Sequence, residues 1–487
     1  PCSCRTAEIA VYWRYPEFQK DGAVLFLFSA RKILRKQPVL GELPADRDIL
    51  SGTVRMAWPS IMESFLVSLV GMVDTFMVSS LGVYAIAAVG LTTQPKFIGL
   101  AVFISLNVAV SAIVARRKGE GNRESANKVL QQALLITGGL LVVVSTLCVA
   151  FADPILHLAG SQPDTHRPAV TYFRIVMGGM AFNVVSMVIN AAQRGAGNTR
   201  ISLTTNLVSN LVNVVFDYLL IGGHFGFPAL GVAGAAIATV IGSVCGCALS
   251  ILSMLHRDNF ICIREVKKIG FDKATVRAIT NIGSSTLAEQ AFLRIGFMTF
   301  AVIVARLGTI PMAAHQIGMN LMSICFSFGD GLSVASVALV GQSLGRGRPD
   351  LARVYGNVCQ RCGLLFACGL SVIFLTLGQR IFGLFSEDPA ILSYGRMIMM
   401  VMMVEVFLQI SQVVFSGCLR GAGDTVFTAV VSLVSVLAVR PLMGWLLCYP
   451  AGLGLFGAWL GLLSDQFVRF LMTYLRFGSG NWMNRKV

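Results

Sequence analysis

The sequence predicts an all-α polytopic membrane protein, with 12 transmembrane helices in two six-helix lobes that are related by a parallel internal repeat. Three observations support this fold class. Hydrophobic residues make up 55% of the 487 residues and charged residues only 13%, whereas a soluble domain has roughly a quarter charged residues. The apolar residues form continuous runs of about 20 or more, which suit membrane helices and differ from the alternating pattern of β-barrel strands. Landmarks in the first half of the chain also recur in the second half.

Continuous apolar runs give the helix positions. Those of the first lobe lie near residues 57–80, 85–115, 130–158, 168–193, 200–221 and 228–255. Those of the second lobe lie near residues 279–306, 308–342, 352–384, 390–418, 424–448 and 452–475. The chain therefore divides into an N-terminal extension (1–50), an N-lobe (51–256), an inter-lobe linker (257–278), a C-lobe (279–476) and a tail (477–487). The extension is expected to be poorly ordered, because its apolar run Ala23–Phe28 is too short to span a membrane.

The basic residues indicate the orientation in the membrane. The net charge is +15, and most of the 39 Lys and Arg residues lie in the two termini and in the even-numbered loops between helices. Basic residues favour the cytoplasmic side of a membrane, so both termini are predicted to be cytoplasmic, in the plasma (inner) membrane. The basic residues occur in short, separated clusters. A nucleic-acid partner is therefore not expected.

An internal repeat relates the two lobes. Residues 119–121 (GEG) recur as residues 345–347 (GRG), and residues 194–199 (RGAGNT) recur as residues 420–425 (RGAGDT), in each case 226 residues later. Six helices per lobe start both lobes on the same side of the membrane, so the repeat is parallel. Two such lobes enclose a cleft, and rocking one against the other would open it to each side in turn. The repeat therefore indicates transport.

The order and spacing of these motifs resemble the multidrug and toxic compound extrusion (MATE) family of antiporters. The resemblance covers residues from about 50 to 475 and rests on Val73-Asp74-Thr75, Ala313-Ala314-His315-Gln316, Leu230-Gly231-x-x-Gly234-Ala235, and the two pairs of glycine-containing motifs above. It implies two six-helix lobes, a central substrate cavity, and export of organic, mostly cationic compounds driven by inward H⁺ or Na⁺.

Acidic and amide residues inside the spans are the candidates for ion coupling, because a charge in hydrocarbon is costly and usually functional. Asp74 lies late in the first helix and Asp217 late in the fifth, so both fall in the outer half of the membrane. Asn206, Asn210 and Asn213 precede Asp217 at helical spacing, which places all four on one face of the helix. Such a face must meet protein or water and not lipid.

Two kinds of ion suit this cluster. The hard oxygens of two carboxylates, an amide and the hydroxyl of Thr239 would bind Na⁺, whereas two neighbouring buried carboxyls would alternatively share a proton. The resemblance to MATE N-lobes implies the role of cation or proton site for Asp74, Asn213 and Asp217, and also for Thr239. The alternative is a structural hydrogen-bond network between helices.

The outer polar cluster is specific to the first lobe. A shift of 226 residues replaces Asp74 by Phe300 and Asp217 by Met443, whereas it places Glu289 at the position of Glu63. A polar cluster that is present in only one lobe indicates a specialised site. An acidic residue at the same position in both lobes favours a structural role that the two lobes share. Glu289 nevertheless resembles the carboxylate of the seventh helix that is tied to the cation in some family members.

Further candidates lie in the second lobe. Where some members have an Asp in the tenth helix, this chain has Gln409, with Glu405 one turn earlier, and this departure argues against a sodium site in the second lobe. Met399 and Met403 are candidates for drug contact, because methionine is flexible and polarizable, and core or lipid-facing packing is the alternative. Gln316, near the start of the eighth helix, is a candidate cavity residue.

Other functions find less support. A flippase of a related superfamily, which moves lipid-linked saccharides, is the alternative, but acidic and amide side chains favour cationic substrates. An intramembrane enzyme is not expected, because the chain has no H-E-x-x-H motif and only 5 His. Lys96 lies deep in the second helix and requires an acidic partner that the sequence does not identify. A monomer in the bilayer is expected, with small amphipathic substrates and no cofactor besides the coupling ion.

Overall fold

The computed structural model describes residues 28–34, 38–256, 259–262, 270–385 and 388–485, and this part of the chain contains helices and no β-strand. A short helix α1 (Ala30–Leu34) precedes the first lobe. The first lobe consists of α2 (Asp46–Ser79), α3 (Val83–Gly119), α4 (Arg123–Ala150), α5 (Ala152–Leu158), α6 (Pro163–Gly178), α7 (Met180–Gly195), α8 (Thr199–Gly222) and α9 (Val232–Leu255). The second lobe consists of α10 (Lys273–Ala305), α11 (Thr309–Gly345), α12 (Pro349–Gly383), α13 (Pro389–Gly421), α14 (Thr425–Ser432), α15 (Arg440–Cys448) and α16 (Gly454–Ser479).

The helices confirm the predicted fold class of an all-α polytopic membrane protein. Within the described ranges, 10 helical segments are long and apolar enough to cross a membrane, and the bent pair α6 and α7 adds an eleventh span. The twelfth predicted span corresponds to α16, which has 26 residues. Asp465 and Gln466 lower the hydropathy of α16, and both side chains are buried inside the lobe.

Three predicted helices are interrupted. The third breaks at Phe151, because Pro154 lacks the N–H that would continue the helical hydrogen bonds. The fourth bends by 47° at Gly179, between α6 and α7. The eleventh contains a π-helical turn, Leu433–Val439, immediately before α15, where Pro441 again removes a backbone donor.

Part of the predicted N-terminal extension forms a short helix that packs on the lobes. Phe28 and Leu34, at the two ends of the α1 segment, are buried in the core of the second lobe. The first long helix also begins earlier than predicted, at Asp46. Residues 1–27 and 35–37 lie outside the described residues, and poor order of the extension stays a prediction.

The linker and the tail are also partly packed. Ile261 of the linker is buried in the core of the first lobe, and the backbone N–H of buried Cys262 donates to Asn127 Oδ1 of α4 at 2.8 Å. Helix α10 begins at Lys273, earlier than the predicted start of the second lobe. Trp482 of the tail is buried and stacks on Phe477 with ring centroids 5.0 Å apart. Buried apolar side chains therefore hold parts of the linker and the tail against the lobes, although the mixed composition of these segments did not predict this packing.

The two lobes meet tightly at one end of the molecule. Gly119, the last residue of α3, packs against Gly345, the last residue of α11. A Cβ atom at Gly119 would overlap the backbone of Gln342, and one at Gly345 would overlap the backbone of Arg116. Glycine at both positions allows the helix ends to approach this closely.

The contacts between the lobes extend from this end to the middle of α2 and α11. Ser68 Oγ lies 2.9 Å from Ser327 Oγ, and the rings of Phe65 and Phe328 lie 6.1 Å apart. Beyond Ser68, no hydrogen bond or ring contact joins α2 to the second lobe within the described residues, and Phe76 is 78% exposed. The lobes are therefore joined along one half of the cleft between them.

Substitution of Gly119 by Val is expected to open the closed end. The added side chain cannot fit against Gln342 and Gly345, so the two helix ends must move apart. Hydrogen–deuterium exchange should therefore become faster in residues 116–121 and 342–347.

The matched control is Gly139→Val, at a helical position of α4 where an added Cβ meets no atom within 4 Å. The control should leave exchange at the closed end unchanged. Equal exchange rates at that end in Gly119→Val and in the unsubstituted protein would show that the glycine contact does not hold the lobes together.

Candidate functional site

Two carboxyl groups from different helices meet inside the first lobe. Asp74 on α2 and Asp217 on α8 interact side chain to side chain. Asn213, one turn before Asp217, donates a hydrogen bond from Nδ2 to Asp217 Oδ2 at 3.1 Å. Oδ1 of Asp74 and Oδ1 of Asp217 are both buried and have no hydrogen-bond partner among the described residues. Each of these two oxygens can therefore accept a proton or a cation.

Two hydroxyl groups and one cation surround this carboxyl pair. The hydroxyl of Tyr172 on α6 interacts with that of Thr239 on α9, and Thr239 Oγ1 donates to the carbonyl oxygen of Ala235 at 2.9 Å. The positive charge of Lys96 on α3 acts on Asp74. Side chains from α2, α3, α6, α8 and α9 therefore converge at the site.

The structure brings together the residues predicted for ion coupling, namely Asp74, Asn213, Asp217 and Thr239. It adds Lys96 and Tyr172, which sequence reasoning did not assign to this site. Lys96 had a signal in the sequence, a charge deep in an apolar span, but its partner depends on how the helices pack. Tyr172 had no such signal, because a tyrosine within a membrane span is ordinary.

Asn206, predicted on the same face of α8, belongs to a second polar group. Its Nδ2 donates to Glu63 Oε1 at 2.6 Å. The same oxygen accepts hydrogen bonds from Arg194 Nη1 at 3.0 Å and from Ser202 Oγ at 2.8 Å. Asn210 lies half-buried on the helix between the two polar groups. The polar face of α8 therefore contributes to the Glu63 group at one end and to the Asp74–Asp217 carboxyl pair at the other.

The second lobe repeats the Glu63 group. Glu289 Oε1 accepts a hydrogen bond from Arg420 Nη2 at 2.5 Å, and Glu289 Oε2 accepts one from Thr428 Oγ1 at 2.9 Å. These three residues are the repeat equivalents of the glutamate, arginine and serine of the first-lobe group. A buried ion pair that is present in both lobes favours an architectural role for Glu289 over a role in binding the coupling ion.

One further carboxylate lies between these two ion pairs. Asp330 on α11 accepts a hydrogen bond at 3.3 Å from Ser64 Oγ of the other lobe, and the charges of Arg194 and Arg420 both act on it. Its repeat equivalent is Ile104. Asp330 therefore links the lobes across the cleft. Sequence reasoning missed it, although an aspartate within a long apolar run was a usable signal.

Glu405 and Gln409 belong to a separate network inside the second lobe. Both carboxylate oxygens of Glu405, and Oε1 of Gln409, are buried without a hydrogen-bond partner in the described part of the chain. The charges of Arg440, Asp465 and Arg469 act on Glu405. Arg440 Nη2 lies 2.6 Å and Arg469 Nη2 3.3 Å from Asp465 Oδ2. The second acidic group of this network is thus already bound by two arginines, unlike Asp74 and Asp217.

The other predicted substrate residues differ in their surroundings. Met399 is buried against Gly378, so its surroundings are those of packing and do not support the predicted drug contact. Met403 is half-buried, and Gln316 is exposed, with its Nε2 3.5 Å from Asn320 Oδ1. Roles for Met403 and Gln316 in substrate contact stay predictions.

The spans and the two-lobed architecture define a multi-pass membrane transporter. The MatE family model matches the chain twice, over residues 59–219 and over residues 286–446. The chain therefore belongs to the MatE family, and one match in each lobe supports the internal repeat.

Relatives and solved structures extend over nearly the whole chain. A probable multidrug resistance protein NorM of Thermotoga maritima is 28% identical, over 90% of this chain and 94% of the relative. The multidrug resistance protein PmpM of Pseudomonas aeruginosa is 26% identical, over 88% and 91%. An outward-facing multidrug resistance MATE family transporter superposes with a TM-score of 0.82 at 20% identity, over 90% of this chain and 99% of the other. A variant of the Vibrio cholerae MATE transporter VcmN gives 0.83 at 17% identity, with the same coverage.

Removal of the Arg194 charge is expected to destabilise the first lobe, because Glu63 is left as an unpaired buried anion. Arg194→Met should lower the free energy of unfolding by about 3 kcal/mol or more. The double variant Glu63→Gln with Arg194→Met should recover part of that loss. Thermal unfolding in detergent ranks the stability of the unsubstituted protein, of Arg194→Met and of the double variant.

The control is Arg174→Met, which breaks an ion pair with Asp153 whose two side chains are 47% and 49% exposed. Its effect should be about 1 kcal/mol or less. A double variant no more stable than Arg194→Met would argue against the buried pair as the cause.

Proposed function

We propose that the protein is a cation-coupled antiporter that exports organic, mostly cationic compounds in exchange for H⁺ or Na⁺, through alternating access of its two lobes. The pair of unpartnered oxygens on Asp74 and Asp217 carries this proposal. One monovalent cation, either a proton or Na⁺, would provide a partner for both oxygens at once. Its binding would also offset a negative charge within a membrane span, where a charge is costly.

The position of the pair suits an ion that controls conformation. Asp74 is on α2 and Asp217 is on α8, and the surrounding side chains come from three further helices. Loss of the ion leaves two like charges side by side, which repel each other more strongly away from water. Binding or loss of the ion can therefore favour one packing of these helices over another. An ion shifts the equilibrium between two conformations only if it binds to one of them more favourably than to the other.

The joined and separated halves of the cleft support alternating access. The joined half ends at Gly119 and Gly345, which are predicted to lie on the cytoplasmic side. With this orientation the open half faces outward, in keeping with the similarity to a transporter described as outward-facing. Opening of the other side would require these two helix ends to separate and the hydrogen bond from Ser64 to Asp330 to break.

The charge of the candidate site supports cationic substrates. Two carboxyls outnumber the one ammonium group that acts on them, that of Lys96. A flippase for lipid-linked saccharides would instead need an excess of cationic side chains for the phosphate groups of its substrate. The names of the relatives NorM and PmpM, both multidrug resistance proteins, agree with export of diverse small molecules.

Asp74→Asn and Asp217→Asn are each expected to abolish transport driven by an ion gradient, because each replaces an ionisable oxygen by an amide. The measurement is ethidium transport in proteoliposomes, with H⁺ and Na⁺ gradients imposed separately. The initial rate should fall at least about tenfold in both variants, a loss equivalent to roughly 1.4 kcal/mol.

Asp164→Asn is the matched control, because Asp164 is an exposed aspartate at the start of α6. It should transport at the unsubstituted rate. Unsubstituted rates from Asp74→Asn or Asp217→Asn, with normal amounts of folded protein, would contradict the assignment of the coupling site.

A further inference from the structure

The segment before the first long helix is attached to both lobes. This N-terminal strap consists of α1 with its flanking residues and of residues 38–45, and it continues directly into α2 of the first lobe. The backbone N–H of Ala30 donates to Asp46 Oδ1 at 2.8 Å, which ties α1 to the start of α2. Phe28 and Leu34, 2% and 4% exposed, are buried in the core of the second lobe, where α1 packs against α12. The strap therefore belongs to one lobe by sequence and to the other by packing.

Hydrogen bonds join the middle of the strap to the junction between α11 and α12. Asp350 Oδ2 accepts the backbone N–H of Leu40 at 3.3 Å. Arg348 Nη2 donates to the backbone oxygen of Glu42 at 3.2 Å. Arg348 Nε also donates to Asp350 Oδ1 at 2.9 Å, so these two side chains hold each other in place. The second lobe therefore binds the main chain of the strap at two points.

The C-terminal tail makes a reciprocal contact. Trp482 is buried in the core of the second lobe, and its Nε1 donates to the backbone oxygen of Phe477 at 2.8 Å. Three residues later, the backbone oxygen of Arg485 accepts a hydrogen bond at 2.9 Å from Arg116 Nη1 of α3, in the first lobe. Each terminal segment therefore contacts the lobe that is not its own.

Both terminal contacts lie beside the close glycine contact at the closed end. Arg348 follows Gly345 by three residues, and Arg116 precedes Gly119 by three residues. The strap is tied to the start of α2, whereas its hydrogen bonds reach the start of α12. Separation of the lobes at the glycines would therefore also pull the strap and the tail away from their partners.

The hydrogen bonds of the two terminal segments can break and form again. Leu40 is 54% exposed and the side chain of Arg485 is 55% exposed, so water can replace a lost partner. A hydrogen bond whose groups are solvated after it breaks contributes only a small net free energy. These contacts therefore suit a reversible attachment.

The internal repeat indicates that the strap contact is not a general part of the scaffold. A shift of 226 residues places Asn122 at the position of Arg348, and the same shift places Glu124 at that of Asp350. In the first lobe these residues serve their own helix: Asn122 caps α4, and Glu124 pairs with a lysine one turn later. The arginine–aspartate pair is therefore specific to the second lobe, where it binds the strap.

We propose that the N-terminal strap and the C-terminal tail form a latch that holds the lobes together at the closed end and releases each time this end opens. The inference rests on the proposed alternating access and adds an element that sets the balance between its two conformations. Coupling of this kind is reciprocal: the bound strap stabilises the closed end, and the closed end stabilises the bound strap to the same extent. Weakening either one should therefore loosen the other.

The first test weakens the strap and measures hydrogen–deuterium exchange at the closed end of the detergent-solubilised protein. Asp350→Ala removes the acceptor for Leu40, and exchange is read in the opposite lobe, at residues 116–121. It should become about fivefold faster, as expected for the loss of one hydrogen bond. The double variant Phe28→Ala with Leu34→Ala detaches α1 without a change at the helix junction and should have at least this effect.

Glu124→Ala is the matched control for Asp350→Ala. It removes the acidic side chain at the repeat-equivalent position, in the first turn of α4, where no strap is bound. Exchange is again read in the opposite lobe, at residues 342–347, and should equal that of the unsubstituted protein.

The second test determines whether the strap detaches when the closed end opens. Leu34→Cys places a thiol at a buried position of the strap, and peptide mass spectrometry follows its reaction with N-ethylmaleimide. Labelling should become at least about tenfold faster when Gly119→Val is added, because a minor state of roughly 10% or less becomes the main one. Labelling should also become faster in proteoliposomes during ethidium transport. Gly139→Val and the buried native Cys418 are the controls, and neither should show a change.

Two results would overturn the latch. One is exchange at residues 116–121 that is equal in Asp350→Ala, in the double variant and in the unsubstituted protein. The other is labelling of Leu34→Cys that stays constant with Gly119→Val or during ethidium transport, as expected for a strap that packs permanently. If no ion gradient drives ethidium transport in any protein, the proposed antiport fails, and exchange together with labelling in the Gly119→Val background decides whether the latch exists.

Discussion

The cost of a charge inside a membrane governs the arrangement of this molecule. Most of its buried acidic residues are matched by basic ones: Glu63 with Arg194, Glu289 with Arg420, and Asp465 with Arg440. Glu405, whose two carboxylate oxygens have no hydrogen-bond partner among the described residues, departs from this pattern, and so do Asp74 and Asp217, which face each other and each keep a buried unpartnered oxygen. Two neighbouring carboxylates are stable inside a membrane span when a bound cation offsets their repulsion. A cation that binds in this way can also dissociate. The Asp74–Asp217 pair, in which two carboxyls from different helices meet, is therefore the exception to charge pairing that suits a mobile ion.

The internal repeat separates shared architecture from specialised chemistry. The glutamate–arginine groups and the close-packed glycines occur at equivalent positions in both lobes, as parts of one scaffold used twice. Lys96 and Asp217, in contrast, have Met322 and Met443 at the equivalent positions. Asp330 is a specialised residue of the second lobe, placed where the lobes touch. A symmetric scaffold that carries asymmetric charge allows one lobe to bind the ion while both lobes move around a common cleft.

The fold was largely predictable from the sequence, and the site was predictable in part. Long apolar runs, the charge distribution and the repeat specify helices and lobes, because the membrane leaves few alternatives. The helical spacing of Asn213 and Asp217 placed both on one face before their neighbours were known. The partner of Lys96 was not predictable, since it depends on which helices pack together. The split of the α8 polar face between two groups, and the burial of Met399, depend on packing in the same way.

The central claim is that the Asp74–Asp217 pair holds the coupling ion and releases it when substrate binds. The most direct measurement is ion release from detergent-solubilised protein on addition of ethidium, with a pH-sensitive dye for H⁺ in weakly buffered solution and a sodium-selective electrode for Na⁺. The account predicts release of about one monovalent ion per protein, a proton or a Na⁺, as expected for a carboxyl pair that holds a single ion. It also predicts no release from Asp217→Asn that retains ethidium binding. Ethidium binding to the unsubstituted protein with neither ion released, or equal release from Asp217→Asn, would contradict it.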